Sequence, residues 1–217
     1  MADNDSRAGA HYSDPGALRF VDELHAAHDD SLQAAFDAPD AEGMPAIQVG
    51  RSEGKFLELL ARLCSAERVV EVGTLAGYSA IRLARGLVPG GRVWTIESEP
   101  KHAEVARTRI AAAGYQDVID VVVGDAKEVL AALEEHGPFD LVFVDADKES
   151  YPIYGAWARE HLRPGGLLVG DNAFLFGKLT EDTDRGRAMR QFHAEAAEHF
   201  DSVCLPTPDG LLVGIKQ

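Results

Sequence analysis

The sequence predicts an α/β protein with a doubly wound, mostly parallel seven-stranded sheet, helices on both faces and a C-terminal antiparallel hairpin. Two observations carry this prediction. Short runs rich in valine and isoleucine alternate with helical stretches from about residue 67 onward, which is typical of parallel strands joined by helical crossovers. Near the C-terminus, two further apolar runs are separated only by a loop containing Asp209-Gly210, which favours an antiparallel hairpin.

The segment before this alternation is predicted to be helical. Residues 1–15 are polar and end at Asp14-Pro15, so we expect a mobile arm there. Apolar residues recur at helical spacing from Gly16 to Ala38, which predicts one amphipathic helix, and a second helix follows with Ser52 as its N-cap. The N-terminal helices, residues 16–66, are compatible with either a lid or a dimer contact, and they belong to the same structural domain as residues 67–217.

The alternating part supplies the remaining elements of the prediction. Strands are expected at Arg68 to Val72, Arg92 to Ile96, Val118 to Val123, Phe139 to Val144 and Gly166 to Gly170, with hairpin strands at Ser202 to Leu205 and Leu211 to Ile215. Helices are expected at Tyr78 to Leu87, Lys101 to Ala113, Ala126 to Glu135, Tyr151 to Leu162 and Thr183 to Phe200.

Length and charge limit the possible functions. With 217 residues, of which 46% are hydrophobic, the chain is long enough for one domain with a sizeable core. Its formal charge of -15 would repel a phosphate backbone, so we expect no nucleic-acid partner. No apolar run approaches the roughly 20 residues of a membrane span. We therefore expect no membrane partner.

Cysteine and histidine usage favours a cytoplasmic protein without a zinc site. Cys64 and Cys204 lie far apart, follow no metal-ligand spacing and are expected to be buried and reduced. The N-terminus lacks the basic and apolar regions of a signal peptide. Four histidines of the first and last predicted helices are expected to be solvated rather than ligating: His25, His28, His193 and His199.

The turn after the first predicted strand carries the first functional pattern. Glu71 lies two residues before Gly73, and Gly77 follows four residues later. The full G-x-G-x-x-G fingerprint of nicotinamide cofactors is absent, and Glu71 would repel a pyrophosphate. Glu97 ends the second strand, where an acidic side chain can bind both ribose hydroxyls. A nucleoside with positive charge fits this pattern, and S-adenosylmethionine is such a ligand; a surface carboxylate at Glu71 and a helix start at Gly77 are the structural alternatives.

A second pattern follows the fourth and fifth strands. Asp145 comes directly after one strand, and Asp171 and Asn172 come directly after the next. If these strands are neighbours, about 4.8 Å apart, the side chains meet in one crevice beside Lys148. Two carboxylates and an amide oxygen suit Mg²⁺, Mn²⁺ or Ca²⁺. The alternative is that aspartates in this region only cap helices.

These motifs together resemble those of one enzyme family. Glu71-Val72-Gly73 with Gly77-Tyr78-Ser79, Val144-Asp145-Ala146-Asp147-Lys148 with Tyr151, and Gly170-Asp171-Asn172 are similar to the motifs of the divalent-cation-dependent O-methyltransferases of the caffeoyl-CoA and catechol O-methyltransferase group. The resemblance extends from Ile47 to Gly214. It implies a Rossmann-like methyltransferase fold, which is the predicted fold class.

The resemblance also implies a role for each matching residue. It identifies Asp145, Asp171 and Asn172 as metal ligands, with Mg²⁺ as the foremost candidate, and Lys148 as the catalytic base acting beside Asp145. Lys148 and Asn172 would contact the substrate. Phe174 and Phe176 would contact it as well, and core packing is an equal explanation for these two aromatic residues. The positions implied to contact S-adenosylmethionine, with Gly77 added from the glycine turn, are Val49, Glu71, Gly73, Thr74, Gly77, Ser79, Glu97, Ala126 and Asp147.

The implied reaction is methyl transfer from S-adenosylmethionine to a hydroxyl of a catechol-like molecule, and related enzymes are commonly homodimers. The chain departs from the plant enzymes after Asn172, where it reads Ala173-Phe174-Leu175-Phe176-Gly177-Lys178. A metal-independent small-molecule methyltransferase and a non-catalytic S-adenosylmethionine-binding module are the alternatives. A nicotinamide oxidoreductase shares the fold but lacks support from the glycine turn.

Overall fold

A computed structural model describes residues 14–217 of the chain. Of the mobile arm predicted for residues 1–15, residues 1–13 lie outside the described residues. Pro15 already begins the first helix. Three helices precede the sheet: α1 (Pro15–His25), α2 (Asp30–Ala41) and α3 (Arg51–Leu63). No helix in the described part of the chain is long and apolar enough to cross a membrane.

The single helix predicted from Gly16 to Ala38 is wrong, because the chain forms α1 and α2 instead. Asp29 divides them: its side chain accepts a hydrogen bond from the Leu32 N–H at 3.0 Å and caps the second helix. The predicted N-cap Ser52 is also wrong, since α3 begins after Gly50. Glu53 reaches back and accepts a hydrogen bond from the Gly50 N–H at 2.9 Å, which satisfies the start of the helix without Ser52.

The predicted sheet is confirmed, with seven strands in the order β3-β2-β1-β4-β5-β7-β6. Strands β1 to β5 run parallel to one another, and β7 pairs antiparallel with both β5 and β6. The strands are β1 (Arg68–Val72), β2 (Arg92–Glu97), β3 (Ile119–Val123), β4 (Phe139–Val144), β5 (Leu162–Gly170), β6 (Phe200–Leu205) and β7 (Leu211–Lys216). The helices between them are α4 (Tyr78–Gly86), α5 (Pro100–Ala112), α6 (Ala126–Leu133), α7 (Tyr151–His161) and α8 (Asp184–His199).

Apolar packing covers the sheet with two clusters of buried side chains. One joins β1 and β4 to helices α3, α4 and α5 through residues such as Leu57, Ile81 and Ile110. The other contains Tyr151 and Trp157 of α7 together with Phe192 of α8. This two-layer burial around a shared sheet is the arrangement that the alternating sequence pattern predicts.

The strand order reverses between β1 and β4, and this point positions the candidate site. Val72 at the end of β1 pairs with Val144 at the end of β4, which in turn pairs with Gly170 at the end of β5. The backbone continues this alignment, because the Asp145 N–H donates to the Val72 carbonyl and the Asp171 N–H donates to the Val144 carbonyl. The carboxyl ends of the three strands therefore lie side by side.

Candidate functional site

A cavity of about 750 Å³ opens above these strand ends. Among the residues predicted to contact a cofactor, metal or substrate, those that line it are Val49, Gly73, Thr74, Ser79, Glu97, Ala126, Asp145, Asp147, Lys148, Asn172 and Phe176. Four others are not part of its lining: Glu71, Gly77, Asp171 and Phe174. The cavity thus brings residues from both sequence patterns together.

The glycine turn after β1 lies tightly against the end of β4. Gly73 adopts φ +102°, and a side chain there would place its Cβ 2.0 Å from the carbonyl oxygen of Asp145. Only a residue without Cβ allows this approach. Gly73 thereby brings the backbone of the turn into contact with the segment that carries Asp145.

Gly77 has a packing role rather than a place in the cavity wall. It adopts φ +85° before α4, and a Cβ there would lie 3.2 Å from the Ile110 side chain on α5. The prediction that Gly77 opens the helix and permits close packing is therefore supported by its geometry. Its predicted contact with a cofactor is not, since the residue faces α5.

Glu71 lies beneath the glycine turn. It is completely buried, and its Oε2 accepts a hydrogen bond from the Thr95 hydroxyl, while Oε1 has no partner among the described residues. Burial raises the pKa of Glu71 to about 8. Thr74, which does line the cavity, has its hydroxyl 2.6 Å from that of Thr95. Glu71 therefore lies outside the cavity lining, behind Thr74, and its contact with S-adenosylmethionine stays a prediction.

Glu97 is held in place at the end of β2, as the ribose prediction requires. Its Oε2 accepts a hydrogen bond from the Leu75 N–H at 2.8 Å, and its Oε1 accepts one from the Glu99 N–H at 3.0 Å. His102 also lines the cavity, with its Nδ1 3.7 Å from Glu97 Oε1. A carboxylate fixed by two backbone donors is ready to accept further hydrogen bonds from ligand hydroxyls.

Asp147 has a partner that the sequence analysis did not assign. The hydroxyl of Tyr154 donates a hydrogen bond of 2.7 Å to Asp147 Oδ1, and both residues line the cavity. Burial, followed by the hydrogen bond to Asp147, raises the pKa of Tyr154 above its ordinary value. Tyr154 lies one helical turn after Tyr151 on α7, a spacing that signals a shared helix face.

Asp145 and Asp171 carry two carboxyl groups at the ends of β4 and β5, of which Asp171 is buried and Asp145 is partly buried. Burial raises the pKa of Asp145, and the nearby Lys148 ammonium opposes this shift. Burial and then the charge of Asp145 raise the pKa of Asp171, with Glu53 contributing in the same direction. The two carboxylates therefore lack sufficient positive charge nearby to compensate both of them.

Lys148 is the cation nearest to this pair, and it is itself buried. Its Nζ lies 3.4 Å from Asp145 Oδ1 and donates a hydrogen bond of 2.7 Å to the hydroxyl oxygen of Tyr151. Tyr151 is fully buried and belongs to the motif that carried the family resemblance. The structure thus adds Tyr151 to the residues that hold Lys148.

This donor set fits a hard divalent cation. Asp145 and Asp171 supply carboxylates whose charges are under-compensated. Asn172, which follows Asp171 and lines the same cavity as Asp145, offers an amide oxygen. No group of three or more His, Cys, Asp or Glu side chains within residues 14–217 is arranged to hold a metal ion. Any ion at this place would rely on the amide of Asn172 as its third protein ligand.

The two phenylalanines of the predicted substrate wall behave differently. Phe176 is 66% exposed and lines the cavity. Phe174 is half-buried and packs against Gly210, whose added Cβ would lie 2.7 Å from its ring. Phe174 therefore packs against the protein, which was the alternative to substrate contact, whereas Phe176 is free to contact a ligand.

The N-terminal part of the chain packs against Tyr78, the first residue of α4, which lines the cavity. The loop between α1 and α2 places His28 beside it, with His28 Nε2 2.8 Å from the Tyr78 hydroxyl oxygen. The predicted solvated position of His28 is wrong: burial, and then the charge of Arg51, lowers its pKa to about 4. Arg82 donates to the same phenol at 3.3 Å and pairs with the buried Glu58.

The remaining histidines and the cysteines differ in part from the prediction. His25 is exposed as expected. His193 and His199 are half-buried instead, because His193 Nε2 lies 2.8 Å from the Ala173 carbonyl oxygen and His199 Nε2 lies 3.0 Å from Arg159. Cys64 and Cys204 have free thiols and are half-buried rather than buried as predicted.

A family model described as O-methyltransferase matches residues 25–216. The chain belongs to the O-methyltransferase family. This O-methyltransferase is 46% identical over 175 residues to a catechol O-methyltransferase of Mycobacterium tuberculosis, covering 81% of this chain and 79% of that protein. It is 43% identical over 180 residues to a catechol O-methyltransferase of Niastella koreensis, covering 81% of each chain. The family resemblance is thereby confirmed.

A solved structure supports the same assignment. The O-methyltransferase TomG from Streptomyces achromogenes, determined in complex with S-adenosylmethionine, superposes on this O-methyltransferase with a TM-score of 0.87 at 36% identity. The match covers 93% of this chain and 96% of TomG.

Proposed function

We propose that the chain is a divalent-cation-dependent O-methyltransferase that moves a methyl group from S-adenosylmethionine to a hydroxyl of a catechol-like small molecule. One observation carries the proposal. Glu97 and Asp147, which suit a methyl donor, line the same cavity as Asp145, Lys148 and Asn172, which suit an ionised acceptor. Donor and acceptor can therefore meet in one cavity.

The donor would occupy the part of the cavity beside the glycine turn. Glu97 would accept hydrogen bonds from the ribose hydroxyls, and Asp147 would attract the positively charged methionine end. Val49, Ser79 and Ala126 line the same cavity. The S-adenosylmethionine bound to the related TomG supports this choice of donor.

Asp145, Asp171 and Asn172 would hold the divalent cation, with Mg²⁺ the foremost candidate and Mn²⁺ or Ca²⁺ acceptable to the same oxygen ligands. When bound, the ion supplies positive charge that favours the ionised form of an acceptor hydroxyl. Two vicinal hydroxyls would engage this site together. The names of the relatives from Mycobacterium tuberculosis and Niastella koreensis support a catechol as acceptor.

Lys148 would take the proton of the reacting hydroxyl when its own amine is neutral. The acceptor oxygen then forms a bond to the methyl carbon while the sulfur–carbon bond breaks, giving a methyl ether and S-adenosylhomocysteine. Tyr151 keeps Lys148 Nζ in place through its 2.7 Å hydrogen bond. Phe176 would cover the acceptor ring from the exposed side of the cavity.

Transfer from labelled S-adenosylmethionine to catechol, compared with its isomer resorcinol, tests the acceptor class. The two molecules have the same hydroxyl groups, but only catechol carries them on neighbouring carbons. We expect methyl ether formation with catechol and little with resorcinol. Equal transfer to both isomers would remove the vicinal requirement, and donor binding without transfer to any acceptor would favour the non-catalytic binding module.

We also propose that the enzyme is a homodimer in which residues 16–66 form the contact, with a lid as the competing role. Large apolar side chains are exposed on the N-terminal part and on α3, namely Phe20, Leu24, Ile47, Leu59 and Leu63. Sedimentation analysis of the full chain tests this proposal. A monomer at micromolar concentration would exclude the dimer contact and leave the lid as the role of residues 16–66.

A cytoplasmic location without a nucleic-acid partner completes the proposal. The free thiols of Cys64 and Cys204 are compatible with a reducing compartment. The formal charge of -15 opposes binding to a phosphate backbone. Fractionation of cells that express the chain tests the location.

A further inference from the structure

The segment that carries Asn172 and Phe176 has an unusual backbone. Asn172, Leu175 and Phe176 adopt φ values of 51°, 51° and 53°, although none of them is glycine. Asparagine adopts the left-handed conformation readily, but for Leu175 and Phe176 it is costly and persists only where the surroundings hold it. Something must therefore fix this segment, which contributes Asn172 and Phe176 to the cavity wall.

The turn between β6 and β7 supplies the missing constraint. The carbonyl oxygen of Asp209 accepts a hydrogen bond from the Phe174 N–H at 2.8 Å, and that of Gly210 accepts one from the Ala173 N–H at 2.9 Å. The carboxylate Oδ1 of Asp209 accepts a third from the Phe176 N–H at 2.7 Å. Three hydrogen bonds thus bind the turn to the segment.

Gly210 makes this close approach possible. It adopts φ +80°, and a Cβ there would lie 2.7 Å from the Phe174 ring and 3.0 Å from the Phe174 backbone nitrogen. The turn and the segment are therefore in contact along both backbone and ring. Asp209 itself is not among the residues that line the cavity.

We propose that Asp209 is a positioning residue that fixes the backbone of Phe176 and thereby shapes the acceptor side of the cavity. The inference rests on the proposed function, since it assigns the acceptor to the space beside Phe176. Oδ1 acts as a hydrogen-bond acceptor, so an uncharged amide oxygen can replace it. The second carboxylate oxygen, Oδ2, is buried and accepts no hydrogen bond from the described residues. Burial raises the pKa of the Asp209 carboxyl, and the Phe176 N–H, the charge of Lys148 and the side chain of Asn172 oppose this shift, so Asp209 also lies close to Asn172.

Asp209→Ala and Asp209→Asn separate this role from a charge effect. We expect Asp209→Ala to raise the KM for catechol by about tenfold, the effect of losing one hydrogen bond, with a smaller change in kcat. Asp209→Asn is expected to stay within about twofold of the unsubstituted enzyme, because it keeps the acceptor oxygen. Asp201→Ala is the matched control, since Asp201 is an exposed carboxylate on β6 of the same hairpin.

Two further measurements exclude a general structural effect. Hydrogen exchange at the Phe176 amide should accelerate in Asp209→Ala, while the affinity for S-adenosylmethionine stays unchanged. In a Phe176→Ala background, Asp209→Ala should add little to the KM for catechol, because both substitutions act on the same wall.

Each outcome decides a separate question. An unchanged KM and unchanged exchange in Asp209→Ala would overturn the proposal, and so would an Asp209→Asn variant as impaired as Asp209→Ala. An equal loss of donor affinity would replace local positioning by a general structural role. If the unsubstituted enzyme methylates no catechol, the proposed function fails, whereas exchange at Phe176 still tests the positioning by Asp209 without any acceptor.

Discussion

The hydroxyl oxygen of Tyr151 lies 2.7 Å from the Nζ atom of Lys148. The same hydroxyl lies 2.9 Å from the carbonyl oxygen of Asp171 and 3.1 Å from that of Val144. Burial, followed by the charge of Asp145, raises the pKa of Tyr151 well above its ordinary value, so the phenol stays protonated. Because its proton is donated to a carbonyl, its oxygen is free to accept from Lys148 and to hold the proposed base in position.

Tyr151→Phe should therefore lower kcat by about tenfold, the effect of losing one positioning hydrogen bond. The affinity for S-adenosylmethionine should remain unchanged, because Tyr151 does not line the cavity. Single-turnover kinetics and calorimetric titration measure the two quantities. Tyr115→Phe is the control, because Tyr115 lies between α5 and β3 and does not line the cavity. An unchanged kcat in Tyr151→Phe would remove the positioning role.

Glu71 should make stability depend on pH. Burial raises its pKa from 4.5 to about 8, so the folded state binds more protons than the unfolded state between these values. Its contribution is fully present below pH 4.5 and is lost as the pH rises through about 8. Urea unfolding should show a smaller decline over this range in Glu71→Gln than in the unsubstituted protein. Parallel curves would contradict this, and Glu67→Gln at an exposed position is the control.

His28 should destabilise the fold in acid. Its pKa is lowered from 6.5 to about 4 by burial first and Arg51 second, with Arg82 acting likewise and with Gln33 and Asp37 opposing. The unfolded state therefore binds more protons in this window, and stability falls as the pH falls from 6.5 through 4.

We expect this effect to amount to about 1 to 2 kcal/mol once solvent screening of the half-exposed ring is allowed for. Unfolding of His28→Gln by urea should show a weaker acid dependence than unfolding of the unsubstituted protein. The exposed His25→Gln variant should behave as the unsubstituted protein does. Equal acid dependence in all three proteins would show that the ring of His28 is not protected from protonation.

Gly73→Ala should be far more damaging than Gly43→Ala. Both glycines have positive φ values, +102° and +62°, but only at Gly73 would the new Cβ meet another atom, the Asp145 carbonyl oxygen at 2.0 Å. We expect a loss of about 3 kcal/mol or more at Gly73 and about 1 to 2 kcal/mol at Gly43. Thermal unfolding measures both, and similar losses would show that the turn can move away from Asp145.

The meeting of Asp145 and Asp171 could be predicted from the sequence, because parallel neighbouring strands bring their carboxyl ends to one edge. The place of Glu97 followed from the same rule. The face of the sheet on which the Glu71 side chain lies could not be predicted in this way. Successive side chains of a strand point to opposite faces, and the length of the strand does not fix where the turn begins. Glu71 consequently lies below the turn that Gly73 begins.

Two hydrogen bonds between distant segments could not be predicted from the sequence, because no strand pairing specifies them. His28 meets Tyr78 across 50 positions, and Phe176 meets Asp209 across 33. Apolar periodicity also carries no information about caps, which is why the break at Asp29 was missed. The two-residue spacing of Phe174 and Phe176 gave no basis for separating the packed ring from the exposed one.

Methyl transfer from labelled S-adenosylmethionine to catechol, measured with Mg²⁺, then with excess EDTA and then with Mg²⁺ restored, tests the central claim most directly. Donor binding measured in parallel with EDTA shows whether the cavity stays intact. The account predicts transfer that disappears with EDTA and returns with Mg²⁺ while the donor stays bound. Transfer that is insensitive to EDTA would contradict it and would leave Asp145, Asp171 and Asn172 with structural roles in a metal-independent methyltransferase.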